Sequence, residues 1–252
     1  MSRHHVFGLP IDALTMDETV ARCVELVEAG EPVQHVVLNV IKIVLCHDDP
    51  RLRAIISSCP IINADGQYFT WAARVLGVPL PARVTGIDLM SRLLAAAEER
   101  GWPVYFLGAK TEVLDAFLAV ARRRYPKLVV AGSHHGYFKG ADADAEAAAE
   151  VGVSGARLLF AGLPSPRKET FVAEQLAAMG PVFAMGVGGS FDVWAGLTRR
   201  APKWMQDAGL EWLFRLIQEP GRMWRRIVVN GWRFTWLFLR ELVRRTPAPT
   251  EA

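Results

Sequence analysis

Short apolar runs alternate with segments of helical periodicity over roughly the first 195 residues of the chain. Almost every position of these runs is apolar, as expected of strands that are covered on both faces of a sheet. Strands that alternate with helices indicate an α/β domain built on a mostly parallel sheet. The predicted strands are His35–Leu38, Pro60–Asn63, Val104–Leu107, Leu128–Gly132, Leu158–Ala161 and Phe183–Val187.

The segments between these runs have apolar residues at helical spacing and favourable helix ends. Thr15 and Glu18 have the spacing of a capping box, which predicts a helix start at Met16. The predicted helices are Met16–Glu28, Val40–His47, Gln67–Val75, Gly86–Arg100, Glu112–Arg124, Ala143–Val151, Pro166–Met179 and a short one near Phe191.

The last quarter of the chain has a different pattern, rich in arginine and tryptophan. Between Arg199 and Arg245 there are eleven basic and four acidic residues and five of the eight tryptophans. Pro220-Gly221 interrupts two amphipathic helical segments. On a projection of 100° per residue, one side of the second segment is basic and the opposite side apolar. The basic residues are Arg222, Arg226, Arg233, Arg240 and Arg244, and the apolar ones are Trp224, Ile227, Val228, Phe234, Phe238, Leu239 and Leu242.

This arginine-rich amphipathic segment is typical of a helix that lies in a membrane interface. The run Ile227–Leu239 spans only about 20 Å as a helix and contains Arg233, so we expect that it does not cross a bilayer. The apolar side could instead dock on the rest of the protein or on a second subunit. Nucleic-acid binding fits less well, because the apolar side is too continuous for a groove that follows phosphates.

The composition limits the classes of protein that the chain can form. It has 252 residues, of which 51% are hydrophobic and 22% charged, which excludes a disordered or low-complexity chain. Cys23, Cys46 and Cys59 form no CxxC pair, which favours a reducing compartment and argues against a structural zinc site. The first ten residues lack the apolar core of a secretory signal, so we expect a cytoplasmic protein.

Several predicted strands run into turns that contain glycine, among them Gly108, Gly136, Gly162 and Gly188. Ligands of open α/β sheets bind at the carboxyl ends of the strands, where glycine lets phosphates approach backbone N–H groups. Each glycine could also serve only a tight turn. The chain contains neither a GxGxxG fingerprint nor a phosphate-binding P-loop. Asp142-Ala143-Asp144 has the spacing of a metal-binding D-x-D motif, but its alanine-rich context predicts the start of an exposed helix.

Asn63-Ala64-Asp65-Gly66 directly follows an apolar strand, which places Asp65 at the carboxyl end of that strand. A carboxylate there could accept a proton from an attacking hydroxyl group. It could equally be an ordinary turn or helix-cap residue. The motif alone does not decide between these roles.

A series of motifs in order resembles the WecG/TagA/CpsF glycosyltransferase family over roughly positions 5 to 226. The matching segments are Asn39, Asn63–Gly66, Arg83–Gly86, Phe106–Gly108, His135–Phe138, Gly162–Glu169, Gly186–Gly189 with Phe191-Asp192, Arg200–Met205, Glu211–Leu216 and Glu219–Arg222.

The resemblance implies a Rossmann-like body, residues 1–198, and a membrane-facing C-terminal appendage, residues 199–246, that completes the active site. Residues 247–252 are expected to be a disordered tail. The implied reaction is an inverting transfer of a sugar, without metal or other cofactor, from a UDP-sugar to a sugar linked to polyprenyl diphosphate. Such a reaction builds cell-surface polysaccharide. We therefore expect a peripheral protein on the inner face of the cytoplasmic membrane that does not bind nucleic acid. Assembly into a homo-oligomer stays open.

By the same resemblance, Asp65 is the general base, Arg83 a cation near the substrate phosphates and Asn39 an amide that positions substrate. The residues expected to bind the nucleotide are Gly108, Gly136, Gly162, Gly188 and Asp192. Those expected to bind the diphosphate or the acceptor are Arg215, Arg222, Arg225 and Lys168.

Two positions depart from the family pattern. Val37 stands where a threonine is expected, and Lys168 stands where a glutamine is expected. Both changes alter hydrogen bonding to substrate and keep open a second interpretation, a non-catalytic protein that binds nucleotide sugars at the membrane.

Overall fold

The computed structural model describes residues 2–138 and 140–245, except the side chains of residues 141, 222, 225, 226 and 245. The predicted tail at 247–252 lies outside the described residues. A six-stranded parallel sheet forms the centre of the fold, which confirms the α/β, Rossmann-like prediction. In the order β4-β3-β8-β7-β5-β6, its strands are β3 (Val33–Leu38), β4 (Ile61–Ala64), β5 (Val104–Gly108), β6 (Val130–His134), β7 (Leu158–Gly162) and β8 (Phe183–Gly186).

Helices cover both faces of the sheet. The helices of the first half are α1 (Met16–Ala29), α2 (Val40–Asp48), α3 (Pro50–Ser57), α4 (Gln67–Val75), α5 (Gly86–Arg100) and α6 (Thr111–Arg124). Those of the second half are α7 (Ala141–Val153), α8 (Arg167–Gln175), α9 (Ser190–Trp194), α10 (Lys203–Asp207), α11 (Glu211–Gln218), α12 (Pro220–Trp224) and α13 (Asn230–Arg245).

An antiparallel hairpin, β1 (Arg3–Val6) and β2 (Leu9–Asp12), precedes the sheet and was not predicted. At its turn, Phe7 and Gly8 both have left-handed backbone conformations, with φ of 52° and 69°. The carboxylate of Asp12 binds Arg3 and also accepts the backbone N–H of Ile62 at 2.8 Å. The hairpin is thereby joined to the edge strand β4.

The capping box predicted at the start of α1 is present. The hydroxyl of Thr15 accepts the backbone N–H of Glu18, and the Glu18 carboxylate accepts the backbone N–H of Thr15 at 2.8 Å. α3 was not predicted, although Asp49 caps it and Pro50 occupies its first turn. The start of α8 agrees with the prediction, but this helix ends at Gln175 rather than Met179.

The C-terminal segment corrects the predicted amphipathic projection. Phe234 is completely buried, with its ring 5.2 Å from that of Phe7 and 5.7 Å from that of Tyr68. Leu237 is also buried, and Phe238 and Leu242 pack against the same cluster. The side of α13 that was expected to face a bilayer therefore docks on the body of the protein, as in the second alternative.

A π-helical turn separates the residues of the predicted apolar side that precede it from those that follow it. Residues Arg225–Val229 form this turn between α12 and α13. A π-turn holds more residues than an α-turn, so it rotates the side chains before it relative to those after it. Trp224 and Phe234, which share a side at 100° per residue, consequently differ in burial: Trp224 is 52% exposed.

A different stripe of α13 is exposed, and we call it the aromatic stripe. Its residues follow one another at intervals of three or four and point away from the docked side. They are Trp232, Trp236, Leu239 and Val243, which are between 53% and 78% exposed. In the part of the chain that the structure describes, no helix is both long and apolar enough for a membrane span.

Candidate active site

The carboxyl ends of the parallel strands lie at one edge of the sheet, and the predicted site residues follow them. Asp65 comes directly after β4, and its backbone N–H donates to the carbonyl of Leu38 at the end of β3 over 2.7 Å. Gly66 has a φ of 95°, a conformation that suits glycine, and α4 begins at the next residue. The turn therefore fixes Asp65 between the ends of two strands.

The environment of Asp65 is both desolvated and rich in charge. Burial raises the pKa of its carboxyl group above the ordinary value, and the nearby Glu211 carboxylate adds to this effect. Arg215, Arg83 and Lys42 act in the opposite direction but do not reverse it. A raised pKa suits a general base, because such a carboxylate accepts a proton more readily.

Arg83 connects this turn to the C-terminal segment. Its guanidinium lies 3.4 Å from the Glu211 carboxylate and donates to the side-chain oxygen of Gln206 at 3.2 Å. Only 12% of the Arg83 side chain is exposed. The arginine is therefore part of a charged cluster around Asp65 and is not a solvated surface residue.

Asn39 has a defined structural task at the end of β3. Its side-chain oxygen accepts the backbone N–H of Lys42 at 3.0 Å and so caps α2. The cap uses one of the two acceptor positions of the oxygen, which leaves the other position and the Nδ2 donor for substrate. Its role in substrate positioning stays a prediction.

A cleft of about 900 Å³ lies at the same sheet edge, and we call it the glycine cleft. Arg215 lines this cleft and lies 3.9 Å from the Glu211 carboxylate, which also pairs with Arg83, so its guanidinium joins the cleft to the charged cluster around Asp65. The other predicted residues that line it are Gly136, Gly162, Gly188, Asp192 and Lys168.

Gly108 was predicted to bind the nucleotide but is not among the described residues that line the cleft. Its φ is 124°, and a Cβ atom there would lie 2.7 Å from the carbonyl carbon of Gly162. This glycine therefore allows the close approach of β5 and β7. The neighbouring residue Ala109 lines the cleft instead.

A buried ionic cluster lies behind the cleft and includes one of the two departures from the family pattern. Glu169 accepts from Lys42 at 2.8 Å, and Lys168 lies 3.8 Å from the same carboxylate oxygen. Burial would raise the pKa of Glu169, but the two lysines hold it below the usual value. Val37, the other departure, is buried in β3, and its carbonyl accepts from Lys42 at 2.7 Å.

The sequence did not single out some of the functional candidates, and others lie outside the residues that the structure describes. Lys42 gave no separable signal, since single charged residues in helices are usually solvated. Glu169 and Glu211 lay in matching motifs, but no role was assigned to either. The side chains of Arg222 and Arg225 lie outside the described residues, and their role in binding the diphosphate or the acceptor stays a prediction.

The D-x-D segment forms the first turn of α7, as predicted. Both oxygens of Asp144 accept from Arg167, at 2.6 and 3.0 Å. Asp142 lies exposed in the same helical turn. Within the described ranges, no three His, Cys, Asp or Glu side chains group as a metal site would require.

Comparison with known proteins identifies the group to which this architecture belongs. Residues 4–248 match the sequence model of the glycosyl transferase WecG/TagA/CpsF family. The chain belongs to this family. It is therefore a glycosyltransferase, as the resemblance indicated.

One characterised relative of the WecG/TagA/CpsF chain is a protein of Bacillus spizizenii. This relative is an N-acetylglucosaminyldiphosphoundecaprenol N-acetyl-beta-D-mannosaminyltransferase. The two sequences are 33% identical over 180 residues, which cover 71% of this chain and 68% of the relative. The alternative of a non-catalytic binding protein is consequently not favoured.

Proposed function

We propose that this glycosyltransferase moves a sugar from a UDP-sugar to the sugar of a polyprenyl-diphosphate-linked acceptor, in the synthesis of a cell-surface polysaccharide. The name of the Bacillus spizizenii relative, whose acceptor is N-acetylglucosamine on undecaprenyl diphosphate, supports the acceptor class. The observation that carries the proposal is the position of Arg215, which joins the glycine cleft to the surroundings of Asp65.

In the proposed reaction, Asp65 accepts the proton of the acceptor hydroxyl while that oxygen attacks the anomeric carbon of the donor. The bond from this carbon to the diphosphate oxygen breaks, UDP leaves, and the anomeric configuration inverts. The negative charge that develops on UDP needs fixed positive charge nearby. Arg215 and Lys168 supply it in the cleft, together with backbone N–H groups of the Gly136, Gly162 and Gly188 turns.

The presence of basic side chains in the described lining of the cleft supports transfer without a metal ion. The described lining contains four basic side chains, those of Lys110, Arg167, Lys168 and Arg215. It contains three acidic ones, those of Glu112, Asp192 and Glu219. Arg167 is already paired with Asp144, so Lys110, Lys168 and Arg215 are the other basic groups that could take the part of a metal ion.

Membrane association through the aromatic stripe is part of the same proposal. Tryptophan with flanking arginine favours the boundary between lipid and water. Arg233 and Arg240 lie beside the stripe on α13, and the acceptor would be held in the same lipid surface. We place the protein on the inner face of the cytoplasmic membrane, where nucleotide sugars are found.

The test is a product assay with the full chain. UDP-sugars would be offered one at a time with a short-chain polyprenyl-diphosphate-linked N-acetylglucosamine, and product and free UDP would be quantified. We expect equal amounts of UDP and of a product with inverted anomeric configuration. Turnover with GDP-sugars alone, or UDP release without product, would contradict the proposal.

A further inference from the structure

A second cavity, of about 370 Å³, lies between the turn of the N-terminal hairpin and helices α2, α3 and α13. We call it the basic cavity. None of the described residues that line it also lines the glycine cleft. The proposed transfer reaction does not use it.

The basic cavity has an apolar floor and a cationic rim. Leu9, Ile43 and Leu237 form the floor and are buried. The rim holds three guanidinium groups and an imidazole, opposed by one carboxylate, that of Glu241, among the described lining residues. These basic residues are Arg53, Arg240, Arg244 and His47.

The neighbouring carboxylates have other partners. Asp48 binds Arg233 at 2.5 Å, and Asp49 accepts the backbone N–H groups at the start of α3. Neither lines the cavity. The rim therefore keeps an excess of positive charge.

Arg53 is held in position by the hairpin turn. Its Nη2 atom donates to the carbonyls of Phe7, at 3.3 Å, and Gly8, at 2.9 Å. A Cβ atom on Gly8 would lie 2.0 Å from Nη2, so the glycine makes room for the guanidinium. Phe7 has a left-handed φ that is costly for a residue with a side chain. A strained backbone turn thus holds the Arg53 guanidinium at the cavity.

Arg240 connects the basic cavity to the aromatic stripe. It lines the cavity, and its guanidinium lies 5.4 Å from the ring centre of Trp236. Trp236 and Trp232 are 53% and 78% exposed. When a tryptophan lies in the interface of a lipid bilayer, a cation next to its ring lies at the depth of the lipid phosphates.

We propose that the basic cavity binds the phosphodiester headgroup of an anionic phospholipid. The guanidinium groups of Arg53, Arg240 and Arg244 bind the phosphate oxygens, and the apolar floor covers the first carbons of the lipid. This inference rests on the proposed membrane association, because the aromatic stripe is what favours a lipid over a soluble phosphate. The site is separate from the site of transfer.

The test is binding of single lipid molecules in the absence of a bilayer. The full chain would be titrated with dihexanoyl phosphatidylglycerol below its micelle concentration, and with the phosphatidylcholine of the same chain length, while tryptophan fluorescence is followed. We expect saturable binding of phosphatidylglycerol that is at least about tenfold tighter than that of phosphatidylcholine. Equal binding of the two lipids, or inorganic phosphate binding as tightly as phosphatidylglycerol, would overturn the proposal.

A matched pair of variants separates a built site from a general attraction between charges. Arg240→Gln with Arg244→Gln removes two charges from the rim, and Arg122→Gln with Arg123→Gln removes two from α6. We expect about tenfold weaker binding of phosphatidylglycerol in the first pair and unchanged binding in the second. An equal loss in both pairs would contradict a specific cavity. Gly8→Ala, which displaces Arg53, gives an independent check and should also weaken binding.

Failure of this inference can be told apart from failure of the proposed function. Trp232→Ala removes a residue of the stripe that does not line the basic cavity. It should weaken binding to phosphatidylglycerol vesicles and leave the titration with monomeric lipid unchanged. Loss of monomeric-lipid binding in this variant would refute a separate cavity, whereas the product assay tests transfer without reference to either result.

Discussion

At the scale of single residues, Asp65 combines two properties that oppose each other. Its raised pKa means that the folded protein holds the carboxyl proton more tightly than the unfolded chain does. Ionisation of Asp65 therefore costs stability, and the full cost is present above the raised pKa. The proposed reaction nevertheless requires the ionised form. The environment that makes the Asp65 carboxylate more basic therefore also makes the folded protein less stable.

Asp65→Asn is accordingly expected to abolish transfer and to stabilise the fold. Loss of a general base lowers turnover by about 10²- to 10⁴-fold. The melting temperature should rise at neutral pH, and the difference from the wild type should shrink as the pH falls through the raised pKa. Asp142→Asn, which removes an exposed carboxylate in the first turn of α7, is the matched control and should leave turnover unchanged without raising the melting temperature. If the Asp65→Asn variant turned over normally, Asp65 would not be the general base.

Glu211 provides a test of how the pKa of Asp65 is set. We expect the rate of transfer to fall with decreasing pH, with a midpoint above the ordinary pKa of an aspartic acid side chain, since the base must be ionised. Glu211→Gln removes a carboxylate that raises this pKa, so the midpoint should move to lower pH. The measurement is kcat/KM against pH for both proteins. A midpoint that does not move would show that Glu211 acts on the site in another way.

At the scale of elements, the spacing of apolar residues and the residue types at helix ends predicted most of the sheet and its helices. The ends of all six strands of the sheet lie within one or two residues of the prediction, because most positions of these parallel strands are apolar. The hairpin was missed because its short sequence, Arg3–Asp12, alternates poorly and turns at Phe7-Gly8. The docking of Phe234 could not be predicted, since a helical projection does not tell the body of a protein from a bilayer.

The candidate site, like the fold, could be predicted from the sequence only in part. The turn after β4 and the glycine turns after β7 and β8 follow from the order of motifs, which places Asp65, Gly162 and Gly188 at one sheet edge. The ion pairs of Arg83 with Glu211 and of Lys42 with Glu169 join residues that are far apart in sequence. Such pairs depend on tertiary packing, which a single sequence does not encode in any local pattern.

Substitution by alanine should affect the stability of the protein very differently at two aromatic residues of α13. Phe234→Ala empties a fully buried site, with an expected loss of about 3–5 kcal/mol in the free energy of unfolding. Trp232→Ala alters a residue that is 78% exposed and should change stability by no more than about 0.5 kcal/mol, while weakening vesicle binding. Denaturant titration and vesicle sedimentation measure the two effects. Equal stability of both variants would contradict the docking of α13.

At the scale of the whole molecule, the C-terminal segment is part of both the fold and the site. Its helix α13 supplies Phe234 to the core, and α11 supplies Glu211 and Arg215 to the surroundings of Asp65. Removal of residues 203–252 would therefore expose Phe69 and Tyr68 and remove charges from the site at once. Point substitutions separate these effects, and a truncation does not.

The charge of the whole cleft leads to a prediction about metal ions. If Arg215 and Lys168 balance the charge of the leaving diphosphate, transfer needs no divalent ion. Excess EDTA should leave the rate unchanged, whereas Arg215→Gln should lower it by about 10²-fold or more. Product formation after chelation and dialysis is the measurement. Loss of activity that Mg²⁺ or Mn²⁺ restores would contradict this account.

The wide separation in sequence between Asp65 and Glu211–Arg215 has a consequence for the timing of synthesis. A ribosome makes Asp65 146 residues before it makes Glu211. A nascent chain that ends between these two positions lacks both Arg215 and the packing of Phe234. Such a chain has the carboxylate without the charges that surround it, so we expect no transfer until the C-terminal helices have been made.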